Sequence, residues 1–275
     1  MAEVLARRTV GRLPSAYAGL VRSSVQVAVT YRGRMVLWAL SGFFPLLLMA
    51  VWLTVVDESG PPAGWTTSDF LAYYAAAAVV WHLSGQHVVW EWDADLRSGD
   101  LSTRLLRPLH PFHQYAAGDL GHRLVMLSWL VPVLAVATVL LPGLDYDLTP
   151  GRAALTLAAV VVGYVLSILM ASTVALLGFW STQTTNIWML WWGLGSFLSG
   201  WVAPLELMPS WLQHLAVVLP FWSTLGFPVE LLAGRLDAAD IAAGFAVGVA
   251  WTAAFAALYV VAWRHGIRRF QAVAG

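Results

Sequence analysis

Residues 91–123 read EWDADLRSGDLSTRLLRPLHPFHQYAAGDLGHR and form a long polar stretch between two strongly apolar regions. The stretch contains four arginines, several acidic residues, a glycine turn and a central LLRPLHP sequence. This mixture is typical neither of a membrane span nor of a soluble loop. We therefore interpret the stretch as a cytoplasmic docking element of a membrane protein, and we place the other segments relative to it.

The composition indicates a polytopic membrane protein. Of the 275 residues, 59% are hydrophobic and 11% are charged, whereas soluble domains carry about 25% charged residues. The absence of cysteine excludes disulfides, thiolate metal sites and cysteine nucleophiles. All 15 basic residues are arginine, so the chain lacks the lysine of a P-loop and cannot itself be a Walker-type ATPase. The lysine-free, alanine- and glycine-rich composition also indicates a GC-rich bacterial genome.

Uncharged runs of the length needed to cross a bilayer, about 20 residues, predict an all-α chain with six transmembrane helices. The predicted spans are 35–56, 70–90, 124–144, 153–180, 187–204 and 241–263. The fourth and fifth spans share one uncharged run, which we fold at the polar turn Ser181–Asn186. Residues 35–263 would then form one transmembrane domain, followed by a cytoplasmic tail at 264–275.

The N-terminal segment 1–34 holds six arginines and one acidic residue, which indicates a cytoplasmic location. Between Pro14 and Thr30, apolar residues such as Leu20 and Val21 recur at helical spacing. This pattern predicts an amphipathic helix lying in the membrane interface. A disordered basic leader is the alternative.

The uncharged run 207–229 decides the topology. It contains Pro209, Pro220 and Pro228, and prolines at that density break a helix into short pieces. We therefore predict a non-spanning pair of re-entrant or interfacial helices here, which leaves both termini in the cytoplasm. The arginine distribution supports this topology, because it places 13 arginines inside and only Arg152 and Arg235 outside.

The predicted span cores contain no Asp, Glu, Arg or Lys, whereas ion-coupled carriers place ionisable groups near the middle of the membrane. The histidine pairs His82/His87 and His110/His113 favour structural roles over metal binding. We expect no catalytic residue, no cofactor site and no metal site in this chain. A transporter of this kind must take its energy from a separate cytoplasmic ATPase.

The segment RSGDLSTRLLRP, Arg97–Pro108, predicts a short helix capped by Ser98 or Asp100. Three leucines would give this helix an apolar face flanked by arginines, which suits insertion into a groove of a partner. The alternative is a helix lying on lipid headgroups, where the nearby aspartates would be repelled by anionic lipid. The candidate ATPase-docking residues are Asp100, Leu101, Arg104, Leu105, Leu106, Arg107 and Pro108.

The chain resembles the type-2 ABC transporter permeases, most of which are exporters. The resemblance rests on the string SGDLSTRLLRPLHP and on the proline-rich block PLELMPSWLQHLAVVLPFWSTLGFPVELLAG at 204–234. It implies that the 91–123 loop holds a coupling helix, matched at Leu101, Leu105, Leu106, Arg107 and Pro108. It also implies a permease dimer, of identical or paralogous copies, with two ABC ATPase subunits that bind ATP and Mg.

The resemblance further implies that residues 204–237 form short extracellular re-entrant helices that cap the transport path. The candidate cap residues are Glu206, Met208, Pro209, Pro220, Pro228 and Glu230. We interpret Glu206 as a hydrated surface acid. Glu230 stays open between a gate residue and a second hydrated acid.

The fifth predicted span carries small residues, Gly193, Ser196 and Gly200, whose spacing predicts a face for close helix contact. This face suits either a dimer seam or packing within one chain. Trp191 and Trp192 beside it would line an apolar path or anchor in lipid. We interpret Trp188, near the start of the span, as a lipid anchor.

Together these features predict a six-span permease subunit in the bacterial cytoplasmic membrane, exporting a lipophilic or amphipathic substrate. An importer of the same architecture is the first alternative, and a membrane scaffold that recruits cytoplasmic partners is the second. A membrane enzyme is disfavoured because the spans lack catalytic groups. Nothing in the sequence indicates a nucleic-acid partner.

Overall fold

A computed structural model describes residues 2–30, 44–62, 64–140, 146 and 148–270. Every regular element among these residues is a helix, which confirms the predicted all-α class. The helices are α1 (Ala2–Thr30), α2 (Phe44–Ser59), α3 (Thr67–Ser84), α4 (Val88–Ser98), α5 (Asp100–Leu105), α6 (Pro111–Leu140), α7 (Pro150–Ala175), α8 (Thr184–Leu198), α9 (Ser210–Val218), α10 (Pro220–Thr224), α11 (Gly226–Leu232) and α12 (Ala238–Gly266). Two short 3₁₀ segments lie at Leu176–Phe179 and Leu205–Leu207.

Helix α7 lies at the centre of the fold and contacts α3, α4, α8, α10, α11 and α12. Pro150 occupies its first turn, and the Thr149 hydroxyl caps it by accepting a hydrogen bond from the Arg152 backbone N–H at 3.2 Å. Residues 166–175 are buried without interruption. A helix that is apolar and buried on all sides in its second half acts as the core against which the others pack.

Two helices of the described residues are long and apolar enough to cross a membrane, Pro150–Phe179 and Ala238–Gly266. They coincide with the predicted fourth and sixth spans. Residues 35–43 of the predicted first span and 141–144 of the predicted third lie outside the described residues.

The bounds of two other predicted spans differ from the helices observed. Helix α3 ends at Ser84 and the chain leaves helical geometry at 85–87, so no continuous helix covers 70–90. Helix α8 ends at Leu198, because Gly200 adopts a φ of +83°, a left-handed conformation that glycine tolerates best. The predicted fifth span, 187–204, is therefore helical only as far as Leu198, where the 15-residue helix Thr184–Leu198 ends and a turn follows.

Arg123 of α6 donates hydrogen bonds to backbone carbonyls at the end of α3 that have no partner within the helix. Its guanidinium donates to the carbonyl of His82 at 2.8 Å and to the carbonyl of Gly85. It also pairs with Asp119 one turn earlier, at 2.7 Å, and Asp119 accepts a 3.0 Å hydrogen bond from the Tyr164 hydroxyl of α7. The last carbonyls of a helix lack partners within the helix and carry partial negative charge, so a buried cation is well placed there.

The helix predicted between Pro14 and Thr30 is present but begins earlier, at Ala2, and α1 packs along α6. The Tyr17 hydroxyl and His113 Nδ1 lie 2.6 Å apart, and their rings meet edge to face. The residues of α1 whose side chains are described, within 15–30, are exposed or half-buried. Location of this helix in a membrane interface stays a prediction.

The proline-rich run before the last helix forms three short helices, so the predicted helix pair was wrong in number. Helices α9, α10 and α11 contain nine, five and seven residues. At 1.5 Å per residue the longest reaches about 14 Å, well short of a bilayer crossing. Pro220 occupies the first turn of α10, where proline lacks no needed hydrogen bond, so proline starts this helix as well as separating it from α9.

Replacing Arg123 by alanine should destabilise the fold, because it leaves Asp119 buried without its partner and frees the carbonyls of α3. Breaking a buried pair costs about 3–5 kcal/mol, which should lower the midpoint of thermal unfolding in detergent by about 10 °C. Arg97→Ala is the matched control, since Arg97 forms a largely exposed pair with Asp93, worth at most about 1 kcal/mol.

The double variant Asp119→Ala/Arg123→Ala should be less destabilised than the sum of the two single variants, because neither charge is left alone. Equal unfolding midpoints for Arg123→Ala and Arg97→Ala would contradict the assigned role of Arg123.

Candidate functional site

The segments predicted to face the cytoplasm lie together at one end of the molecule. The Arg97 guanidinium of α4 donates to the carbonyl of Thr182, in the turn between α7 and α8, at 2.9 Å. The Trp92 ring meets the rings of Phe179 and Trp263 with centroids 5.6 and 5.9 Å apart. Helix α4, the turn before α8 and the end of α12 therefore form one packed surface, which we call the docking end.

The short helix predicted within Arg97–Pro108 is present as α5 and follows α4 through a tight turn; its role as a coupling helix stays a prediction. Gly99 makes the turn with a φ of +84°, which a residue with a side chain rarely adopts. The predicted side-chain cap was wrong, because Gly99 itself occupies the cap position. The Ser98 hydroxyl instead donates to the Asp100 carboxylate at 2.8 Å, which stabilises the turn rather than the helix end.

The leucines of the candidate docking set differ in exposure. Leu101 is fully buried beside Val88, Trp92 and Tyr115, so it holds α5 to the core and presents no surface. Leu105 is half-buried, whereas 87% of Leu106 is exposed. Among the candidates, the exposed residues are Asp100, Leu106, Arg107 and Pro108.

Arg104 points back into the docking end. Its Nε lies 2.5 Å from Asp95 Oδ2, and its guanidinium lies 4.2 Å from the centre of the Tyr115 ring. The Tyr115 hydroxyl donates to the same carboxylate at 2.5 Å. Burial, followed by this hydrogen bond to Asp95, raises the pKa of Tyr115, which keeps the hydroxyl a donor. Arg104 therefore fixes α5 to α4 and α6.

Gln114 was missed by sequence reasoning, although it holds the exposed turn after α5. Its side-chain amide donates to the carbonyls of Arg104 at 2.9 Å and Leu109 at 2.7 Å, and it accepts from Arg107 at 3.3 Å. Gln114 is buried, so one side chain bridges both ends of the turn. An amide near the start of a helix that follows a proline-bounded turn was the available signal.

His110 completes the turn on its inner side. Its ring lies against that of Trp263 of α12, tilted by 59° with the centroids 4.4 Å apart. Burial, followed by the proximity of His113, lowers the pKa of His110 and favours the neutral ring. Within the described ranges there is no group of three His, Cys, Asp or Glu that could hold a metal ion.

The opposite end carries an ionic cluster centred on Arg235. This guanidinium contacts Glu206 at 2.6 Å and Asp69 at 3.5 Å, and it lies 3.9 Å from the centre of the Trp65 ring. Trp65 Nε1 also donates to Glu206 at 2.9 Å. Glu206 is thus an ion-paired residue that ties the predicted cap to the start of α3, and not simply a hydrated acid.

Glu230, which the sequence left open between a gate residue and a hydrated surface acid, lies inside the molecule, and this excludes the second alternative. It is buried, and its Oε2 accepts a 3.1 Å hydrogen bond from the Trp222 indole. Its Oε1 has no hydrogen-bond partner among the described residues. Pro220 and Pro228 are also buried, whereas Met208 and Pro209 lie nearer the surface. A gate role for Glu230 stays a prediction.

The predicted small-residue face of the fifth span does not form one surface. A side chain at Gly193 would meet nothing within 4 Å, whereas Gly200 lies against the Tyr73 hydroxyl, which donates to its carbonyl at 2.8 Å. Ser196, together with Trp191 and Trp192, lines an interior cavity. Gly200 therefore packs within the chain, and only Gly193 is available for contact with another molecule.

Trp188 is 5% exposed and also lines the cavity, so its interpretation as a lipid anchor was wrong. The cavity has a volume of about 80 Å³, which is small beside the sites that hold drug-sized ligands. It lies among α3, α7, α8 and α10.

Comparison with protein families matched residues 43–274 to the family described as ABC-2 family transporter protein. The match covers most of the sequence, so the chain belongs to this family, which confirms its resemblance to the type-2 ABC permeases. No curated protein matched the sequence significantly. Family membership makes the chain a membrane subunit of the ABC type, and it implies association with ABC ATPases.

Replacing Gln114 by leucine should loosen the turn after α5, because the carbonyls of Arg104 and Leu109 lose the side-chain donor that joins them. Trypsin should then cleave after Arg104 about tenfold faster. Each lost hydrogen bond contributes about 1 kcal/mol, and losing two of them raises the fraction of molecules whose turn is locally unfolded by about that factor. Mass spectrometry of timed digests measures the rate.

Gln213→Leu is the matched control, because Gln213 likewise donates to two carbonyls, those of Glu206 and Met208, at the opposite end. Cleavage after Arg104 at the same rate in both variants would show that Gln114 does not hold the turn.

Proposed function

We propose that this chain is the permease subunit of an ATP-driven exporter and that a partner ATPase docks on the corner formed by Leu106, Arg107 and Pro108. The observation that carries the proposal is the exposure of Leu106 on an otherwise fixed helix. Leucine side chains on a short helix are typical of segments that insert into an apolar groove of a partner. The docking corner lies within the part of the chain that matches the ABC-2 family.

The docking corner is attached to the core, so it is suited to transmit force. Gln114 and Arg104 fix α5 to α6 and α4, and α4 packs directly on the central helix α7. A displacement of the corner by ATPase closure would therefore move α4 and α7 with it. The ATPase subunits would bind the ATP and Mg, and this chain would supply the path.

Six spans with cytoplasmic termini would place α9–α11 on the outer side of a bacterial cytoplasmic membrane, as a cap over the path. Two permease copies, identical or paralogous, would act with two ATPases. The clustering of 64–69, 204–206 and 235 at one end, opposite the docking end, supports this topology. Import by the same architecture and scaffolding without transport are the competing functions.

Leu106→Asp should remove the ATPase without unfolding the permease, because it places a charge in the apolar anchor of the interface. The tagged chain is purified from its native membrane, and the eluate is assayed for ATP hydrolysis and for P-loop proteins by mass spectrometry. We expect hydrolysis with the unmodified chain and a loss of at least about tenfold with the variant, since an anchor residue contributes about 2 kcal/mol or more.

Leu148→Asp is the matched control, because Leu148 is 54% exposed but lies at the start of α7, away from the docking end. Retention of the ATPase by Leu106→Asp would contradict the docking corner. Absence of any P-loop protein from the unmodified chain would contradict the transporter function and favour the scaffold.

Single introduced cysteines test the topology. The natural chain contains no cysteine, so a maleimide labels only the introduced one. Thr103→Cys lies on exposed α5, and Ser210→Cys lies on exposed α9 at the opposite end. A membrane-impermeant maleimide should label Ser210→Cys in intact cells and Thr103→Cys only after permeabilisation. Labelling of both, or of Thr103→Cys alone, in intact cells would overturn the proposed orientation.

A further inference from the structure

Glu230 of α11 is a buried acid without a cation beside it. Three charged side chains of the described chain are buried, and two of them, Asp119 and Arg123, pair with each other. Glu230 is 5% exposed, and its Oε2 accepts a 3.1 Å hydrogen bond from the uncharged Trp222 indole. Its Oε1 has no hydrogen-bond partner among the described residues. A negative charge on this carboxyl group would therefore be only partly balanced.

The arginines near the outer end of α11 are engaged elsewhere. The Arg235 guanidinium contacts Glu206 at 2.6 Å and Asp69 at 3.5 Å. Arg152 of α7 lies against the glycine of the turn that follows α11. Neither arginine forms an ion pair with Glu230 within the described ranges.

The other helices packed near Glu230 supply no compensating charge. From α3, the Tyr73 hydroxyl donates to the carbonyl of Gly200 at 2.8 Å. Helix α10 has the sequence PFWST and contains no ionisable side chain. From α12, Asp240 accepts from the backbone N–H of Asp237 in a capping box. This acid and Glu206 disfavour a further negative charge nearby.

These surroundings favour the neutral form of the Glu230 side chain. A protonated carboxyl leaves one hydroxyl unpaired, whereas an ionised one leaves a charge in an apolar interior, which costs considerably more. Burial, partly offset by the hydrogen bond from Trp222, raises the pKa of Glu230 from 4.5 to about 8. Geometry and electrostatics thus agree on a carboxylic acid that holds its proton near neutral pH.

The helix end that carries Glu230 is joined to the ionic cluster at the outer surface. The Arg235 backbone N–H donates to the carbonyl of Glu230 at 3.0 Å, and the Arg235 guanidinium donates to the carbonyl of Gly64 at 3.1 Å. Separation of this cluster would therefore displace the end of α11 and admit water to the carboxyl group.

From these observations we propose that Glu230 binds a proton in the conformation described and releases it when the cap, residues 204–237, opens. On release the carboxyl O–H bond breaks, the electron pair stays on the carboxylate, and the proton passes to water of the outer solution. The inference rests on the proposed function for the opening of the cap, but the bound proton can be tested by itself.

Proton release makes the opening of the cap dependent on pH. The closed cap holds a proton that the open cap loses, so the closed cap is most stable below the ordinary pKa of the carboxyl. Its stability falls as the pH rises from 4.5 to about 8 and then stays level. Within this window the open-to-closed ratio should rise by up to about tenfold per pH unit.

Infrared spectroscopy tests the bound proton on the full-length chain in nanodiscs of ether-linked lipids, which have no ester carbonyls. At about pH 6.5, carboxyl groups with ordinary pKa values of about 4 are ionised. A carboxylic-acid carbonyl band should be present in the unmodified chain and should be lost in Glu230→Gln, whose amide imitates the neutral acid. A band of equal intensity in both would overturn the proposal.

Hydrogen exchange of residues 219–232 tests the link to opening. Rates are measured at about pH 5 and about pH 8, and the rate of the unmodified chain is divided by that of Glu230→Gln, which removes the intrinsic pH dependence of exchange. This quotient should rise at least about tenfold between the two pH values. A constant quotient would overturn the coupling of proton release to opening.

Glu206→Gln is the matched control, because Glu206 is a more exposed acid of the same cap. It should exchange faster at both pH values, since Arg235 loses a partner, yet keep the acid band. Loss of the band in this variant would assign the proton to Glu206 and contradict the proposal.

Trp222→Phe is a second variant that leaves the carboxyl group in place. It removes the hydrogen bond that favours the ionised form, so the acid band should persist to higher pH than in the unmodified chain. Absence of the band would contradict the proposal. Neither measurement requires an ATPase, so failure of the export function is recognised separately, by the loss of ATP hydrolysis in the purification described above.

Discussion

The fold depends on one buried guanidinium. Arg123 fills the place where α3 ends and its carbonyls have no helical partners, and Asp119 and Tyr164 balance its charge. Without it the break at 85–87 would expose unpaired backbone inside an apolar protein, which is tolerated only where protein or water surrounds it. Because α6 carries the charge and α7 carries Tyr164, the same interaction also fixes the positions of three helices relative to one another.

The two ends of the molecule use polar contacts in different ways. At the docking end, buried Gln114 and the half-buried pair of Arg104 and Asp95 hold α5, while the Leu106 corner stays exposed. At the opposite end, Arg235 gathers Glu206 and Asp69 over the Trp65 ring, joining the short helices to the start of α3. The interior between them is mainly apolar and aromatic, and the buried pair of Asp119 and Arg123 lies within it.

Local patterns in the sequence predicted the elements better than their contacts. Helical periodicity predicted a helix within α1, and the glycine and prolines around Arg97–Pro108 predicted the short helix α5. Both signals lie within the segment itself, so the sequence alone is enough to detect them. The break in α3 was missed, since an uncharged run looks continuous until Arg123, 38 residues after Gly85, is found to satisfy its carbonyls. The burial of Leu101, Trp188 and Glu230 was missed for the same reason. Whether a side chain is buried depends on helices that are distant in the sequence.

The break at 85–87 has a consequence for how the two ends communicate. Gln86 of the break contacts the cavity, while the helix that begins at Val88 leads to the docking corner. Under the proposed docking, a ligand that favours one geometry of the break over another would change the affinity of the docking corner for the ATPase. Thermodynamic linkage then requires the ATPase to change the affinity of the ligand by the same factor. Residues 85–87, which lie outside any helix, would thus couple the binding of the ligand to the binding of the ATPase in both directions.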